Sequence, residues 1–423
     1  MLSAKLTKLK LENIGGFKNF ELNFHENLTV LIGKNGTGKT TILRSMAFLF
    51  DIVLDMLLEY VNDPYKNEED LNHFTSRKLS NHEALTLFDK GNASHISIDS
   101  CINGKVFPLK IDGKTISLKN DTDSFYSCLL QNPEKNQQHL PLFIYYPTYN
   151  APVGDIKFSK ITDLEKDIYA AYISACQKGV FDFNRFFAWF AWQENISREV
   201  GSNKKYEMIR QAICKVISDE QNTFDNLHVT WQNNPNGDLC IEKNATLLNI
   251  NQLSAGEKML MILVADLARR LIIANPTNDD PLRQDGVVLI DEIDLHLHPS
   301  WQRTIVSHLK DIFPNCQFIM TTHSPQIISH IKPESIFILR ENSISHPEES
   351  YGKNTDRILE DLMDTDARPS KEKQRLHELF ILIQAKKLAD AKALIDELQT
   401  EIGMDSELVK AKVLLKRMEI IGK

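Results

Sequence analysis

A glycine-rich segment near the amino terminus has the residue types and spacing of a phosphate-binding loop. The phosphate loop, GKNGTGKT from Gly33 to Thr40, matches the pattern GxxxxGK[ST]. Glycines let backbone N–H groups curl around phosphate oxygens, and a helix that begins at the lysine adds partial positive charge. Lys39 is then placed to reach the terminal phosphates, and Thr40 to give an oxygen to magnesium. The loop predicts a nucleoside triphosphate site; a tight glycine turn with a surface lysine is the alternative interpretation.

An acidic pair follows an apolar run later in the chain. In the segment VVLIDEID, four apolar residues precede Asp291 and Glu292. An aspartate at the carboxyl end of a buried parallel strand lies in the ligand crevice, where it can hold magnesium through water. Glu292 is then placed to polarise an attacking water molecule. Acidic residues that merely begin a helix are the alternative, but a phosphate loop in the same chain favours hydrolysis.

Two further motifs indicate which kind of nucleotide enzyme this is. Ser254 in LSAGEK precedes a long apolar helix that it can cap, and Gly256 exposes backbone N–H groups, so this turn is a candidate anion site. TTHSP ends another predicted strand with His323. Taken singly, LSAGEK is a good helix start and His323 a structural histidine. Both become evidence for function because they follow a phosphate loop in the same chain.

Hydrophobic spacing predicts the elements that must position these motifs. Period-two alternation before residue 25 and the run LTVLI at 28–32 predict three opening strands, and a spacing of three and four after Thr40 predicts a helix. PLFIYY at 141–146 predicts a buried strand. From Gly286 onward strands alternate with helices, which is typical of a parallel sheet covered by helices. The fold class that follows is α/β.

The segments between these motifs have their own patterns. Asn103-Gly104, between alternating segments, predicts a hairpin and a β-rich arm. Helical spacing dominates residues 161–220, where we interpret a stripe of phenylalanines from Phe183 to Phe190 as a packing face rather than a platform for stacked bases. A second hairpin is predicted around NNPNGD. From Lys371, three amphipathic helical segments follow, the last of them rich in lysine.

Composition limits the class of protein. Hydrophobic residues at 42 % and charged residues at 25 % indicate a soluble, cored chain, and no apolar run reaches membrane-spanning length, so we expect a cytoplasmic protein. A net charge of −8 argues against a wholly basic nucleic-acid coat but not against a local basic groove. Six scattered cysteines predict neither disulfides nor a CxxC zinc site, and His296 and His298 are a weak metal pair.

The four motifs, in this order and at these separations, resemble the ATP-binding-cassette (ABC) ATPase heads of RecF, SMC and OLD-type proteins. The resemblance implies a P-loop head with a mixed β-sheet, a helical insertion and a C-terminal helical appendage. It implies ATP and Mg²⁺ as cofactors, catalytic roles for Lys39, Glu292 and His323, and metal binding by Thr40 and Asp291. The nucleotide-binding residues that it implies are Gly33, Asn35, Gly36, Gly38, Lys39, Thr40, Thr41, Ser254, Gly256 and Glu257.

The same resemblance implies an oligomer. In such heads Ser254 and Gly256 bind the γ-phosphate held by a second subunit, so at least a homodimer is expected. Residues 294–298 are expected in the dimer-facing loop. One departure concerns the magnesium-sensing glutamine, since the glutamines at 137 and 138 precede the predicted strand where these families place theirs after it.

Four parts are predicted along the chain. They are the N-terminal part of the head with a β-hairpin arm (1–155), a mainly helical insertion that ends in a hairpin (156–250), the C-terminal part of the head (251–345), and a helical appendage (346–423).

FFAWFAWQEN and the tail SYGKNTDRILEDLMDTDARP are similar to the PtuA family, the ATP-binding subunits of Septu anti-phage systems. This looser resemblance implies regulation of a partner nuclease, of HNH type in that family, with possible DNA contact and no membrane partner. Three alternatives are a transporter subunit, a DNA-repair or recombination ATPase of RecF/SMC type, and a scaffold that binds ATP with little turnover. The lack of membrane segments disfavours the first, and hairpins and loops within 51–250 disfavour the long coiled coils of the second. The third stays open.

Overall fold

The computed structural model describes residues 4–62, 76–78, 94–102, 105–112, 115–118, 142–148, 168–176, 183–232, 234, 236–341, 343–366 and 368–421. Contacts divide the chain into two compact units, Met1–Lys353 and Asn354–Lys423. The division into four parts stays a prediction.

The described strands are β1 (Ala4–Ile14), β2 (Phe17–Asn23), β3 (Leu28–Ile32), β4 (Ser76–Lys78), β5 (His95–Ile102), β6 (Lys105–Asp112), β7 (Thr115–Leu118), β8 (Leu142–Tyr146), β9 (Phe224–Thr230), β10 (Asp238–Lys243), β11 (Thr246–Asn249), β12 (Gly286–Ile290), β13 (Cys316–Thr321), β14 (Ile336–Arg340) and β15 (Ser343–Ser345). The described helices are α1 (Lys39–Asn62), α2 (Phe183–Val200), α3 (Lys204–Ile217), α4 (Ala255–Ala274), α5 (Pro299–Ile312), α6 (Pro325–Ile328), α7 (Thr355–Asp361), α8 (Ser370–Gln384), α9 (Leu388–Ile402) and α10 (Ser406–Ile421).

A six-stranded mixed sheet forms the centre of the first unit, with the strand order β15-β14-β3-β13-β12-β8. All neighbours in it pair parallel except β14 and β15. Every residue of β3, β8, β12 and β13 is buried, which explains why these strands are mainly apolar in the sequence. The predicted α/β class with a mixed sheet is confirmed, although the helix predicted after Pro325 has only four residues.

A second, antiparallel sheet has the order β2-β1-β5-β6-β7-β4. The hairpin predicted around Asn103-Gly104 is present as β5 and β6. Because β5 also pairs with β1, this hairpin is part of the sheet with which the chain begins. No helix in the described part of the chain is long and apolar enough to cross a membrane.

The insertion contributes α2, α3 and a three-stranded antiparallel sheet of order β11-β10-β9. The predicted hairpin around NNPNGD is confirmed, since β9 pairs with β10. The phenylalanines at 183, 186, 187 and 190 on α2 are at most 7 % exposed, so the stripe is a packing face, as predicted.

The second unit is a small helical body. α8, α9 and α10 share a core of buried side chains from all three helices, which confirms the three predicted amphipathic segments. Its members are Leu376, Leu379, Ile383, Ala391, Ile395, Leu398, Leu408, Ala411 and Leu415.

Candidate nucleotide site

The phosphate loop connects the end of β3 to the start of α1. Gly33, Gly36 and Gly38 have φ angles of +152°, +83° and +97°, which side chains rarely adopt. A Cβ at Gly38 would lie 2.4 Å from the Phe17 ring, and one at Gly33 would lie 2.5 Å from the Leu339 carbonyl oxygen. Glycine is therefore required at both positions, and the backbone follows the curved path of an anion-binding loop.

Lys39 begins α1 and is only 6 % exposed. Its Nζ donates to the carbonyl oxygens of Gly33 at 2.8 Å and Lys34 at 3.1 Å. Burial lowers the pKa of this ammonium, and nearby carboxylates oppose that shift. An ammonium that contacts backbone carbonyls at the loop can exchange them for phosphate oxygens. Three other predicted residues of this segment lie at exposed or partly buried positions, namely Asn35, Gly36 and Thr41.

Asp291 directly follows β12 and accepts hydrogen bonds from three threonine hydroxyls. Thr40 and Thr321 donate to Oδ1 at 3.1 Å and 2.7 Å, and Thr148 donates to Oδ2 at 3.0 Å. The aspartate is 3 % exposed, so each of these contacts is made in a largely dry environment. The structure thus brings together Thr40 and Asp291, the two residues predicted to bind metal.

Glu292 has a left-handed backbone, with φ at +53°. Its N–H donates to the Thr321 hydroxyl at 2.7 Å, and the same hydroxyl donates to Asp291. A residue held in this region of φ must be fixed by its surroundings. Thr321 therefore sets the positions of both acids at the end of β12.

His323 follows β13 and is tied to the chain after the acidic pair. Asp294 Oδ1 accepts from the Thr322 hydroxyl at 2.6 Å and from the His323 N–H at 3.1 Å. Burial lowers the pKa of the His323 imidazole, the charge of Lys39 adds to this, and the neighbouring carboxylates oppose it. A neutral imidazole close to Lys39 fits a residue that interacts with the terminal phosphate.

The signature turn, defined as Leu253–Lys258, is organised by contacts within the chain. The Ser254 hydroxyl accepts from the Glu257 N–H at 3.3 Å, and Glu257 Oε2 accepts from the Ser254 N–H at 2.6 Å, which is a capping box at the start of α4. Glu257 Oε1 also forms an ion pair of 2.7 Å with Lys243 of β10. Both carboxylate oxygens of Glu257 are thus engaged by its own chain, and its role in nucleotide binding stays a prediction.

The segment Glu292–His298, here called the linking loop, contacts both groups of predicted residues. At one end Asp294 holds His323. At the other end the His296 carbonyl oxygen would lie 2.6 Å from a Cβ at Gly256, so glycine is required there for close packing. His298 caps α5 by accepting from the Ser300 N–H. The His298 imidazole thus has a structural role as the cap of α5.

Three residues of the site were not predicted from the sequence. Thr148 and Thr321 hold Asp291, and Lys243 holds Glu257. Thr148 lies just after β8 and Thr321 ends β13, both neighbours of β12 in the parallel sheet. A hydroxyl at the carboxyl end of a neighbouring parallel strand is a signal that a sequence search could have used. Lys243 gives no such signal, because it ends a strand of a separate antiparallel sheet and its partner lies on α4.

The profile of the RecF/RecN/SMC N terminal domain matches residues 5–345 of this chain. That range includes the phosphate loop, the signature turn, the acidic pair and His323. The chain belongs to this family. Together with the assembled site, this membership makes the chain an ATPase of the RecF/SMC/OLD class.

Several curated proteins are similar over most of their length. The retron Vc95 probable ATPase of Vibrio cholerae serotype O1 biovar El Tor is 30 % identical, over 86 % of this chain and 80 % of the relative. The retron Ec83 probable ATPase of Escherichia coli is 29 % identical, over 98 % and 87 %. The Septu protein PtuA of Bacillus thuringiensis is 25 % identical, over 76 % and 72 %.

Proposed function

We propose that this chain is the ATP-hydrolysing subunit of a bacterial anti-phage defence complex, in which two copies close around ATP and regulate a partner nuclease. The observation that carries the proposal is the convergence of the phosphate loop, Asp291, Glu292 and His323 on one edge of the sheet. The relatives named as retron ATPases and as Septu protein PtuA support the role in defence. An HNH nuclease is the partner class that we propose, with DNA as a further possible contact.

The site residues divide the work of hydrolysis. Lys39 and the backbone N–H groups of the phosphate loop bind the phosphates of ATP. Glu292, whose backbone is held by Thr321, orients the attacking water and accepts a proton from it. His323 contacts the terminal phosphate. Because Lys39 acts in binding and Glu292 acts on water, substitutions at these two positions separate binding from turnover.

The residues present fit a magnesium ion. Thr40 and Asp291 supply a hydroxyl and a carboxylate 3.1 Å apart, and hard oxygen donors are the ligands that Mg²⁺ prefers. When bound, such an ion neutralises charge on the phosphates of ATP. Thr148 and Thr321 keep the Asp291 carboxylate in place, which is their contribution to this function.

The dimer completes the site. The signature turn lies at the start of α4, where Ser254 and Ala255 are exposed, whereas the phosphate loop connects β3 to α1. A second copy would supply its own signature turn to the nucleotide on the phosphate loop. We therefore propose a homodimer with two composite sites.

The first experiment compares Lys39→Ala with Glu292→Gln. We expect Lys39→Ala to lose ATP binding, because the buried ammonium that meets the phosphates is gone. Glu292→Gln should keep ATP binding, lower turnover by roughly 10² to 10⁴-fold for loss of a general base, and remain a closed dimer with ATP. Binding is measured by calorimetry, turnover by phosphate release, and mass by light scattering. Wild-type turnover in Glu292→Gln would show that the base is assigned to the wrong residue.

The second experiment examines the signature turn in trans. Ser254→Arg should block closure of the dimer while one chain still binds ATP. When it is mixed with Lys39→Ala, each mixed dimer should regain at most one composite site, since one chain lacks a phosphate loop and the other a signature turn. Full two-site activity in the mixture would contradict the dimer.

The outer face of α10 has the features of a surface that binds a partner protein. Its inner face is buried in the second unit, but Val409, Val413 and Ile420 are 48 %, 63 % and 68 % exposed. Basic residues are interspersed with this stripe, at Lys410, Lys412, Lys416 and Arg417. An apolar stripe with basic neighbours fits an amphipathic partner surface that carries acidic side chains.

Between the two halves of the head, the described residues contain no helix long enough for the arms that the coiled-coil alternative requires. The described helices between the two halves of the head, α2 and α3, have 18 and 14 residues, and strands follow them. Several heptads of continuous helix would be needed for an SMC-like arm. The described residues therefore favour the defence complex over an SMC-like protein.

A further inference from the structure

A buried ionic cluster lies on α4, the helix that begins at the signature turn. Asp266 is 2 % exposed and pairs with Arg270 at 2.7 Å and with Arg269 at 3.2 Å. Arg270 also donates from Nη1 to the carbonyl oxygens of Ala171 at 2.6 Å and Ile173 at 3.1 Å. A fully buried ionic cluster often costs stability relative to apolar side chains, so its presence invites a functional explanation.

The cluster is joined to β8 by a tyrosine. The Tyr146 hydroxyl donates to Asp266 Oδ2 at 3.0 Å. Burial opposes ionisation of Asp266, but the two guanidinium groups outweigh it and hold the pKa of this carboxyl below its usual range. The tyrosine therefore binds a charged acceptor, and such hydrogen bonds are stronger than neutral ones.

The same end of β8 holds Asp291 by two contacts. The Asp291 N–H donates to the Tyr146 carbonyl oxygen at 2.9 Å, and the Thr148 hydroxyl donates to Asp291 Oδ2 at 3.0 Å. Tyr146 thus contacts Asp291 through its backbone and Asp266 through its side chain. Tyr146 therefore connects Asp291, at the end of β12, to Asp266 in the middle of α4.

We propose that Tyr146 and Thr148 are positioning residues that couple the state of Asp291 to the signature turn of the same chain. α4 is buried almost throughout, so a displacement at Asp266 is passed along the helix to its start at Ser254. The distance along the helix axis from Asp266 to Ser254 is about 18 Å at 1.5 Å per residue. In the dimer proposed above, on which this use of the coupling rests, each chain's own metal and nucleotide would then adjust the turn that serves the other site.

The test follows backbone amide exchange at residues 250–260, at a protein concentration where light scattering shows single chains. The probe is a non-hydrolysable ATP analogue with either Mg²⁺ or EDTA. In wild type, Mg²⁺ should slow exchange in this segment by about fivefold or more, the lower end of usual coupling between sites. Tyr146→Phe should lose this difference while it binds the analogue with unchanged affinity.

Two controls separate coupling from general loosening. Tyr206→Phe removes another buried tyrosine hydroxyl, which donates to Leu227 O at 3.5 Å in the insertion, and should respond to Mg²⁺ as wild type does. Thr148→Val should also lose the difference, and Thr148→Ser should keep it, so a folding defect in Tyr146→Phe would not end the test.

The proposal is overturned if wild type shows no effect of Mg²⁺ on the segment, if Tyr146→Phe and Thr148→Val both respond as wild type does, or if Tyr206→Phe loses the response as well. If two chains never dimerise in the presence of ATP, the proposed dimer is contradicted instead. The coupling within one chain is tested separately, because the exchange experiment uses single chains.

Discussion

At the scale of single residues, the site is organised by hydroxyl groups around one buried carboxylate. Asp291 accepts from threonines at the start of α1, just after β8 and at the end of β13. A buried carboxylate is costly unless hydrogen bonds satisfy its oxygens. The three threonines therefore stabilise the charge and fix its position before any ligand arrives.

Thr321 is the hydroxyl whose loss should be felt most, because it contacts both acids. Thr321→Val keeps the side-chain volume but removes the bond to Asp291 and the acceptor for the Glu292 N–H. We expect a stability cost of about 1–3 kcal/mol and a loss of ATP turnover of about tenfold to a hundredfold, at roughly 1.4 kcal/mol per factor of ten. Thermal unfolding and phosphate release measure these effects. Thr321→Ser is the matched control and should stay near wild type; equal turnover in Val and Ser would show that the hydroxyl is not needed.

At the scale of elements, α4 is the part of the fold that combines two duties. Its first turn is the signature turn, and its middle carries the charged cluster of Asp266, Arg269 and Arg270. From residue 260 to residue 274 every residue of α4 is buried, and because the interior is densely packed, this stretch of the helix moves as one body. The element is thus both a core helix and the support of a predicted functional turn.

The Asp266 cluster should make stability depend on acid pH. The folded-state pKa of Asp266 is below its unfolded value, so its contribution is present at neutral pH and is lost as pH falls through the folded pKa, below about pH 4. Asp266→Asn should cost roughly 3–5 kcal/mol at pH 7, since two buried guanidinium groups lose the carboxylate with which they pair. The gap between wild type and variant should narrow as pH falls.

Urea unfolding between pH 7 and pH 2.5 measures this dependence. Glu21→Gln is the control, because Glu21 pairs with Lys8 and Lys10 at the surface and its removal should matter little. A gap between wild type and Asp266→Asn that does not change with pH would mean that the charge of Asp266 is not what stabilises the fold.

At the scale of the whole molecule, the chain consists of two units that each have their own core. The first holds every residue of the candidate site, and the second has its core among α8, α9 and α10. A unit with its own core can fold when the other is removed. The second unit can therefore have a function other than catalysis.

Removal of residues 354–423 should leave ATP turnover intact and abolish docking of the partner protein. The expected reason is that the exposed apolar stripe on α10, with its basic neighbours, lies in the removed unit. Turnover is measured by phosphate release, and docking by pull-down of the proposed HNH nuclease in moderate and high salt. Val413→Glu in the full chain is the finer variant, and Gln374→Glu, at an exposed position on α8, is a control with the same change of charge. Equal recovery of the partner by the full and truncated chains would eliminate this unit as the docking element.

Local patterns in the sequence determined much of this protein. Glycine spacing and apolar periodicity predict the phosphate loop, the buried parallel strands and their helices. These patterns act between residues that are close in the sequence, so they can be read without the fold. The P-loop residues, Asp291, Glu292 and His323 lie at the ends of these strands, so their convergence could be inferred from the parallel sheet alone. The two hairpins could be predicted for the same reason, since turn residues act within a few positions of the sequence.

Only the tertiary structure decided which side chains complete the site. Thr148 and Asp291 are 143 positions apart, and Tyr146 and Asp266 are 120 apart. Such pairs depend on strand order and on the register between β8 and β12, which no local pattern encodes. The close approach of Gly256 to the His296 carbonyl oxygen has the same cause. The sequence determined the chemical groups at each strand end, whereas packing decided which of them meet, because contacts between distant segments depend on the whole fold.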